Sequence, residues 1–252
     1  MLLFSTLAPV LVACGPSDER AFHGYLYFIQ GPYLMRFSLR DDSLSMVTHL
    51  GNRTVREISP FGEGRLLASE TASVNRRKVT RISWLDLKTG QSESLYSGVR
   101  ARFVAAAGAI VYDDGGKLYA VSLAGDSGID PVVMSHARNR LSAMVEVSGG
   151  TLLFETQEDE KPVVYAYRAD TGELAKLESL ATSCRLDGAV WIDDLDRLAC
   201  RERDGDTEVA PHDYVFADLD GRLVGRPSLP EGDRFLALTY IRDQGVIVFR
   251  ES

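Results

Sequence analysis

The chain has 252 residues, a formal net charge of −8 and 45% apolar residues, which are ordinary values for a globular protein with one large domain or two small ones. General affinity for nucleic acid needs clustered Lys and Arg, so the acidic balance argues against that class of partner. No run of about 18 apolar residues occurs, so the sequence predicts no membrane-spanning helix.

The first segment, residues 1–13, is apolar and ends in small residues just before Cys14. It is too short to cross a bilayer and is typical of a cleaved export signal. Residues 11–14, LVAC, resemble the lipobox of bacterial lipoproteins, in which the Cys becomes the lipidated N-terminus. The resemblance implies that Cys14 carries palmitate and anchors the chain to a membrane, with residues 14–22 as a tether. The residues by themselves leave one alternative, an ordinary buried N-terminal strand with an unmodified Cys14.

Gly15 follows the candidate lipidation site. In Gram-negative lipoproteins, Gly rather than Asp at this position implies retention in the outer membrane. The resemblance therefore implies a protein of the cell envelope, on the outer membrane and facing the periplasm if the organism is Gram-negative.

From residue 23 onward, short β-prone runs bounded by Gly or Asp dominate, and apolar residues do not recur at helical spacing. One strand type begins after a turn residue in six places, at intervals of 40 to 49 residues, as in GRLLASE and GTLLFET. A second type follows the first five copies and mostly ends in a turn such as Thr89-Gly90 or Thr171-Gly172. Gly supplies the positive φ that such a tight turn requires. Two shorter strands complete each repeat.

Four strands in a repeat of this length are the signature of a β-propeller blade. A single four-stranded sheet cannot bury both of its faces, whereas stacked blades cover each other and leave only short edges. The sequence therefore predicts an all-β fold, a β-propeller of four-stranded antiparallel blades, forming a single domain over residues 23–252.

The strand count leaves two ways to close the propeller. If Phe235–Gln244 supplies the missing innermost strand of the first repeat, the propeller has five blades and Val246–Ser252 is left over. If Val246–Ser252 instead begins a sixth blade, the outer strands of that blade are missing. Five blades is the first prediction, and six with an incomplete closing blade is the alternative.

The repeats resemble the TolB-type and WD40-like propeller repeats of bacterial envelope proteins. The turns LDLKTGQ and RADTGEL are also similar to those of quinoprotein-like propellers, although the Trp that closes the quinoprotein repeat is absent, so no quinone cofactor is predicted. The resemblance covers about residues 23–252. It implies a fold and not an activity, because propellers host hydrolases, lyases, lectins and scaffolds alike.

Two cysteines remain beside Cys14, and an exported protein meets an oxidising compartment. Pairing Ile192 with Arg197 across the intervening turn puts Cys200 opposite Ala189. A bridge to Cys184 therefore requires that residue to curl back, since the two Cα atoms must come within about 7 Å. The sequence leaves both a disulfide between Cys184 and Cys200 and two buried free thiols open.

Residues with catalytic or metal-binding chemistry are scattered. Gly125–Gly128, GDSG, matches the tetrapeptide around the nucleophile of chymotrypsin-like proteases, but it falls on a predicted turn and no His in a matching context precedes it. Asp204–Glu208 lacks the full ligand series of a calcium loop. The histidines show no pair at metal-ligand spacing; they are His23, His49, His136 and His212. The sequence predicts no catalytic residue, no cofactor and no metal site.

The favoured function is a non-enzymatic envelope lipoprotein whose propeller binds an envelope protein or a small ligand. The alternative is a propeller-type hydrolase or lyase with a site at the central channel. Propellers gather loops at the two ends of their axis, where binding sites form. The most insertion-like loops are predicted at Thr71–Lys78, Gln157–Pro162 and Asp204–His212. The acidic stretch Glu155–Glu160 is the feature of the fourth repeat that a blade does not require.

Overall fold

A computed structural model describes residues 10–13, 24–62, 64–74, 77–115, 117–123, 130–132, 141, 143–203, 214–226, 235–241 and 246–251. Their regular structure is almost entirely β. The strands are β1 Val10–Ala13, β2 Tyr25–Gln30, β3 Tyr33–Ser38, β4 Ser43–His49, β5 Thr54–Pro60, β6 Arg65–Val74, β7 Arg77–Asp86, β8 Ser92–Ser97, β9 Arg100–Val104, β10 Ala109–Asp113, β11 Leu118–Ser122, β12 Asp130–Val132, β13 Ala143–Val147, β14 Thr151–Glu158, β15 Lys161–Arg168, β16 Leu174–Lys176, β17 Cys184–Ile192, β18 Arg197–Glu202, β19 Tyr214–Ala217, β20 Leu223–Gly225, β21 Phe235–Ile241 and β22 Val246–Glu251. One α-helix, α1, spans Glu178–Ser183, and 3₁₀ turns span Ala105–Ala107, Ser148–Gly150 and Asp193–Leu195.

The chain divides into two compact units, which we call the N-terminal unit (residues 18–138) and the C-terminal unit (residues 1–17 and 139–252). In the N-terminal unit the strand orders of the three sheets are β2-β3-β4, β5-β6-β7-β8 and β12-β11-β10-β9. In the C-terminal unit they are β13-β14-β15-β16, β17-β18-β19-β20 and β1-β22-β21. Every strand pair is antiparallel. The assignment of residues 23–252 to a single domain stays a prediction.

Each of the five repeats forms one antiparallel sheet, so the predicted fold class, an all-β five-bladed β-propeller, is confirmed. The predicted closure by Phe235–Gln244 is wrong. Phe235–Ile241 does not complete the first repeat's sheet, which has three strands among the described residues, but pairs with β22, with Ile241 opposite Val246. Pairing with β22, the next strand along the chain, closes a far shorter loop than pairing with the first repeat, and the entropy cost of loop closure grows with length.

The turn after the second strand of a repeat is built by local hydrogen bonds. In the second repeat, Asp86 Oδ1 accepts the backbone N–H groups of Lys88 at 3.0 Å and Thr89 at 2.7 Å. Gly90 follows with φ +70°, which an L side chain rarely adopts. The hydrogen bonds from Thr89, backbone first, lower the pKa of the Asp86 carboxyl. The DLKTG motif thus fixes the hairpin that the sequence predicted there.

The core of the C-terminal unit lies between its two four-stranded sheets. Leu153 of β14, Leu180 of α1, and Leu186 and Leu198 of β17 and β18 are all fully or almost fully buried and belong to one apolar cluster. Trp191 joins the same cluster. The strands carry consecutive apolar residues because both faces of their sheets are covered. Within the part of the chain that the structure describes, no helix is long and apolar enough to cross a membrane.

Candidate functional site

In place of the first predicted loop, Thr71–Lys78, the structure has the far end of the hairpin formed by β6 and β7. β6 and β7 run for 10 residues each, and the pairing extends to Val74 opposite Arg77. The loop prediction is therefore wrong over most of this range, and the basic residues at 77 and 78 lie in a strand. Cross-strand pairs of β-branched residues, such as Thr71 opposite Thr80, favour this extension.

The second predicted loop, Gln157–Pro162, shrinks to a two-residue turn. β14 continues to Glu158 and β15 begins at Lys161, so the connection is Asp159-Glu160. Both residues have positive φ, 48° and 65°, as a tight hairpin turn requires. The acidic stretch Glu155–Glu160 is therefore mainly strand, and its two strand carboxylates have internal partners. Glu158 accepts hydrogen bonds from Tyr165 and Lys176.

Several predicted positions lie outside the described residues. These are Cys14, His23, Gly125–Gly128, His136 and Asp204–His212. His49 is described and is exposed at the end of β4. Its Nδ1 accepts the backbone N–H of Gly51 at 3.0 Å, and its ring lies edge-on to Tyr33.

Glu155 is the centre of a charged contact between the two four-stranded sheets of the C-terminal unit. Its Oε2 accepts the backbone N–H of Leu186 at 2.9 Å and Arg203 Nη2 at 2.8 Å. Arg203 also donates to the carbonyl oxygen of Cys184 from Nε at 3.2 Å and from Nη2 at 3.1 Å. The two side chains are 11% and 19% exposed, so this is a largely desolvated ion pair that joins β14 to β17 and β18.

Cys184 and Cys200 are bonded through sulphur, with their Cα atoms 5.8 Å apart, and both are fully buried. Ile192 pairs with Arg197, the pairing expected from the sequence. Four residues of β17, 186–189, then stand against a single residue of β18, Cys200. Pairing resumes with Arg185 opposite Arg201. This irregularity bends β17 so that Cys184 comes close to Cys200, which regular pairing from Ile192 and Arg197 would not allow.

The same irregularity brings Asp187 next to Arg201, near the end of β18. We take the polar cluster of Asp187, Arg201 and Tyr214 as the candidate functional site. Arg201 Nη2 donates to Asp187 Oδ2 at 2.9 Å and to the Asp187 carbonyl oxygen at 3.1 Å. Tyr214, opposite Arg201 on β19, is 2% exposed. Among the described residues, the Tyr214 hydroxyl and Arg201 Nε are buried and have no hydrogen-bond partner. Buried polar atoms are normally paired, so these two donors lack a partner that a bound polar atom could supply.

The electrostatics of the Asp187–Arg201–Tyr214 group favour binding over proton abstraction. Burial raises the pKa of the Tyr214 hydroxyl, and the Asp187 charge adds to this, while Arg201 opposes it. The tyrosine therefore stays protonated and can donate a hydrogen bond, as can Arg201 Nε. The neutral hydroxyl of Tyr214 and the cationic guanidinium of Arg201 can both donate to a carbonyl, carboxylate or hydroxyl oxygen of a ligand.

A second buried carboxylate lies in the N-terminal unit. Glu70 is 1% exposed and accepts Arg81 Nε, Ser83 Oγ at 2.8 Å and, more distantly, Arg53 Nη1 at 3.5 Å. Two guanidinium groups on one carboxylate leave a positive charge in excess. Both arginine side chains are only partly exposed, so this cluster primarily holds the turn before β5 to β6 and β7.

Sequence reasoning missed these clusters, although a signal was present. Glu70 and Glu155 stand at adjacent positions near the end of the same strand type, in GRLLASE and GTLLFET. A charge that ends an otherwise apolar, doubly covered strand needs a partner. Among the described residues, no group of three His, Cys, Asp or Glu is placed to hold a metal ion.

The fold places the chain among β-propeller proteins, and comparison with known proteins goes no further than the fold. No family model matches the sequence, and no curated protein matches it. Solved structures do match, and the three described here do so at 10–13% identity. The nidogen/laminin complex aligns at 12% identity and TM-score 0.62, over 86% of this chain and 82% of that chain.

Two further structures come from bacteria. An auxiliary nutrient-binding protein from Bacteroides thetaiotaomicron aligns at 13% identity and TM-score 0.61, over 93% of this chain and 67% of that chain. An oligogalacturonate lyase from Vibrio parahaemolyticus aligns at 10% identity and TM-score 0.55, over 90% and 74%. At such identities the similarity supports the fold alone.

Proposed function

We propose that the chain is a non-enzymatic, exported lipoprotein whose propeller binds a protein partner or a small polar ligand at the cell envelope. The observation that carries the binding function is the buried Tyr214 hydroxyl and Arg201 Nε, two donors without a partner among the described residues. A ligand oxygen that accepts a hydrogen bond from either group would pair a donor that is otherwise buried without a partner. The structural similarity to a nutrient-binding protein agrees with such a function.

Export and anchoring through Cys14 are supported by the LVAC motif and by the Cys184–Cys200 disulfide. Disulfides persist in oxidising compartments and are rare in the cytosol. Processing at Cys14 would leave residues 14–22 as a tether between the membrane and the propeller. In a Gram-negative organism, the protein would sit on the outer membrane and face the periplasm.

Metabolic labelling with palmitate tests the anchor. The wild-type chain should incorporate label and lose residues 1–13, and globomycin should block that processing. The Cys14→Ser variant should stay unlabelled and unprocessed, while Cys184→Ser, which removes a different thiol, should still be labelled. Equal labelling of wild type and Cys14→Ser would refute the anchor.

Ligand binding is tested with the full chain by thermal shift against a panel of sugar acids and small carboxylates. A ligand that raises the melting temperature of wild type should lose its effect on Tyr214→Phe, which removes the hydroxyl and keeps the ring. Tyr165→Phe is the matched control, because the Tyr165 hydroxyl is already bonded to Glu158. If both variants respond as wild type does, this group is not the binding site.

The second candidate is a propeller-type hydrolase or lyase, which the similarity to a lyase of this fold keeps in view. It requires a group that takes up a proton near neutral pH. The direction of the Tyr214 pKa opposes that role. Multiple turnover of a panel substrate that is abolished in Tyr214→Phe would favour the enzyme over the binding protein.

A further inference from the structure

The sheet formed by β1, β22 and β21 joins the two ends of the chain. β1 comes from residues 10–13 and pairs antiparallel with β22, with Val10 opposite Phe249 and Ala13 opposite Val246. The other side of β22 pairs with β21. β22 is thus a central strand only as long as residues 10–13 are present.

Those four residues are also the last four of the proposed signal segment. The inference rests on the proposed processing at Cys14, which removes β1 from the exported protein. β22 then becomes an edge strand, and the N–H and C=O groups that faced β1 lose their partners. The backbone edge then consists of Val246-Ile247-Val248-Phe249, four consecutive β-prone apolar residues. Proteins rarely leave such an edge open, because it templates pairing with other chains.

We propose that in the exported protein the edge of β22 is a docking site for an extended segment of a partner protein, which adds as an antiparallel strand. β1 itself defines the chemistry of that segment, since Val-Leu-Val-Ala occupies the edge in full register. The partner strand therefore carries four aliphatic residues in a row. Main-chain hydrogen bonds supply affinity in this mode of recognition, and side-chain size supplies specificity.

The same geometry explains why the unprocessed chain does not offer this site. There β1 is tethered to the chain that carries β22, so its effective concentration at the edge greatly exceeds that of any free segment. Removal of residues 1–13 leaves the protein held by the lipid on Cys14 and also opens the edge of β22. The docking site therefore exists only after export.

Hydrogen exchange followed by mass spectrometry tests the proposal on two forms of the full protein: the unprocessed Cys14→Ser chain and the processed protein purified from envelopes. In the unprocessed chain, amides of residues 246–249, the part of β22 opposite β1, should be protected. In the processed protein those amides that face β1 should exchange at least about tenfold faster, whereas amides of β14 should exchange alike in both forms. A synthetic peptide with the sequence of residues 9–13, PVLVA, should restore protection in the processed form.

The matched control is the same peptide with alternate backbone nitrogens methylated, which keeps the side chains and removes the donors; it should not restore protection. Unchanged protection of the amides of residues 246–249 that face β1, in a monomeric processed protein without peptide, would overturn the proposal, as would a failure of PVLVA to slow exchange. Protection that appears together with a concentration-dependent dimer would assign the edge to a second copy instead of a partner protein. Intact mass separates these outcomes from failed processing, which would overturn the lipoprotein function as well.

Discussion

Gly221 ends the turn between β19 and β20 and is the position where substitution should test the packing of the C-terminal unit most sharply. It has φ +77°, and a Cβ built there would lie 2.4 Å from the Ser179 carbonyl carbon and 2.5 Å from the Leu180 nitrogen. Both atoms belong to the backbone of α1, so no side-chain rotation can relieve the clash. Gly172 holds the corresponding turn of the preceding repeat, with φ +73° and nothing within 4 Å of its Cβ position.

The two substitutions share one cost and differ in another. An Ala in the left-handed region costs roughly 1–2 kcal/mol at either position. At Gly221 the backbone of α1 must also shift, and forcing atoms into a packed contact adds about 1–3 kcal/mol. Gly172→Ala should therefore lower the free energy of unfolding by about 1–2 kcal/mol and Gly221→Ala by roughly 2–5 kcal/mol.

Urea denaturation of the full chain measures both values in a Trp84→Phe background, where Trp191 alone supplies the fluorescence, because Trp191 lies in the core that α1 packs against. Wild type, Gly172→Ala and Gly221→Ala are compared under the same conditions. Equal losses in the two variants would refute the reasoning, since they would mean that the turn does not approach α1 as closely as the structure has it.

Three further predictions concern charge, pH and redox state. Glu155→Gln should cost roughly 2 kcal/mol, and its combination with Arg203→Gln less than the sum of the two single losses; additivity in urea titrations would contradict the ion pair. Burial and the Glu158 hydrogen bond raise the pKa of Tyr165 from 10.0 to about 12, so this tyrosine stabilises the fold below pH 10 and loses that effect as pH rises toward 12. The stability difference between wild type and Tyr165→Phe should shrink over that interval, and a constant difference would contradict the assignment. Reduction of Cys184–Cys200, separated by 16 residues, should cost about 3 kcal/mol, while the double Ala variant should not respond to reductant.

The predictability of the fold differs from that of the candidate site for a physical reason. The repeat of strand types and the Thr-Gly turns are local signals, because short apolar runs, β-propensity and positive φ are decided within a few residues. They were enough for the all-β propeller. The extent of the hairpin at Thr71–Lys78 and the burial of Glu155 depend on cross-strand and inter-sheet neighbours, which no local pattern contains.

The sequence by itself determined the propeller class, the number of repeats and the turns that divide them, since each repeat carries the same short-range instructions. The tertiary structure alone decided the pairing of Phe235–Ile241 with β22, the curl that brings Cys184 to Cys200, and the unpaired hydroxyl of Tyr214 beside Arg201. These three features arise from contacts between residues that lie in different strands. Which of several possible partners a strand or side chain finds is settled by competition across the whole packed chain.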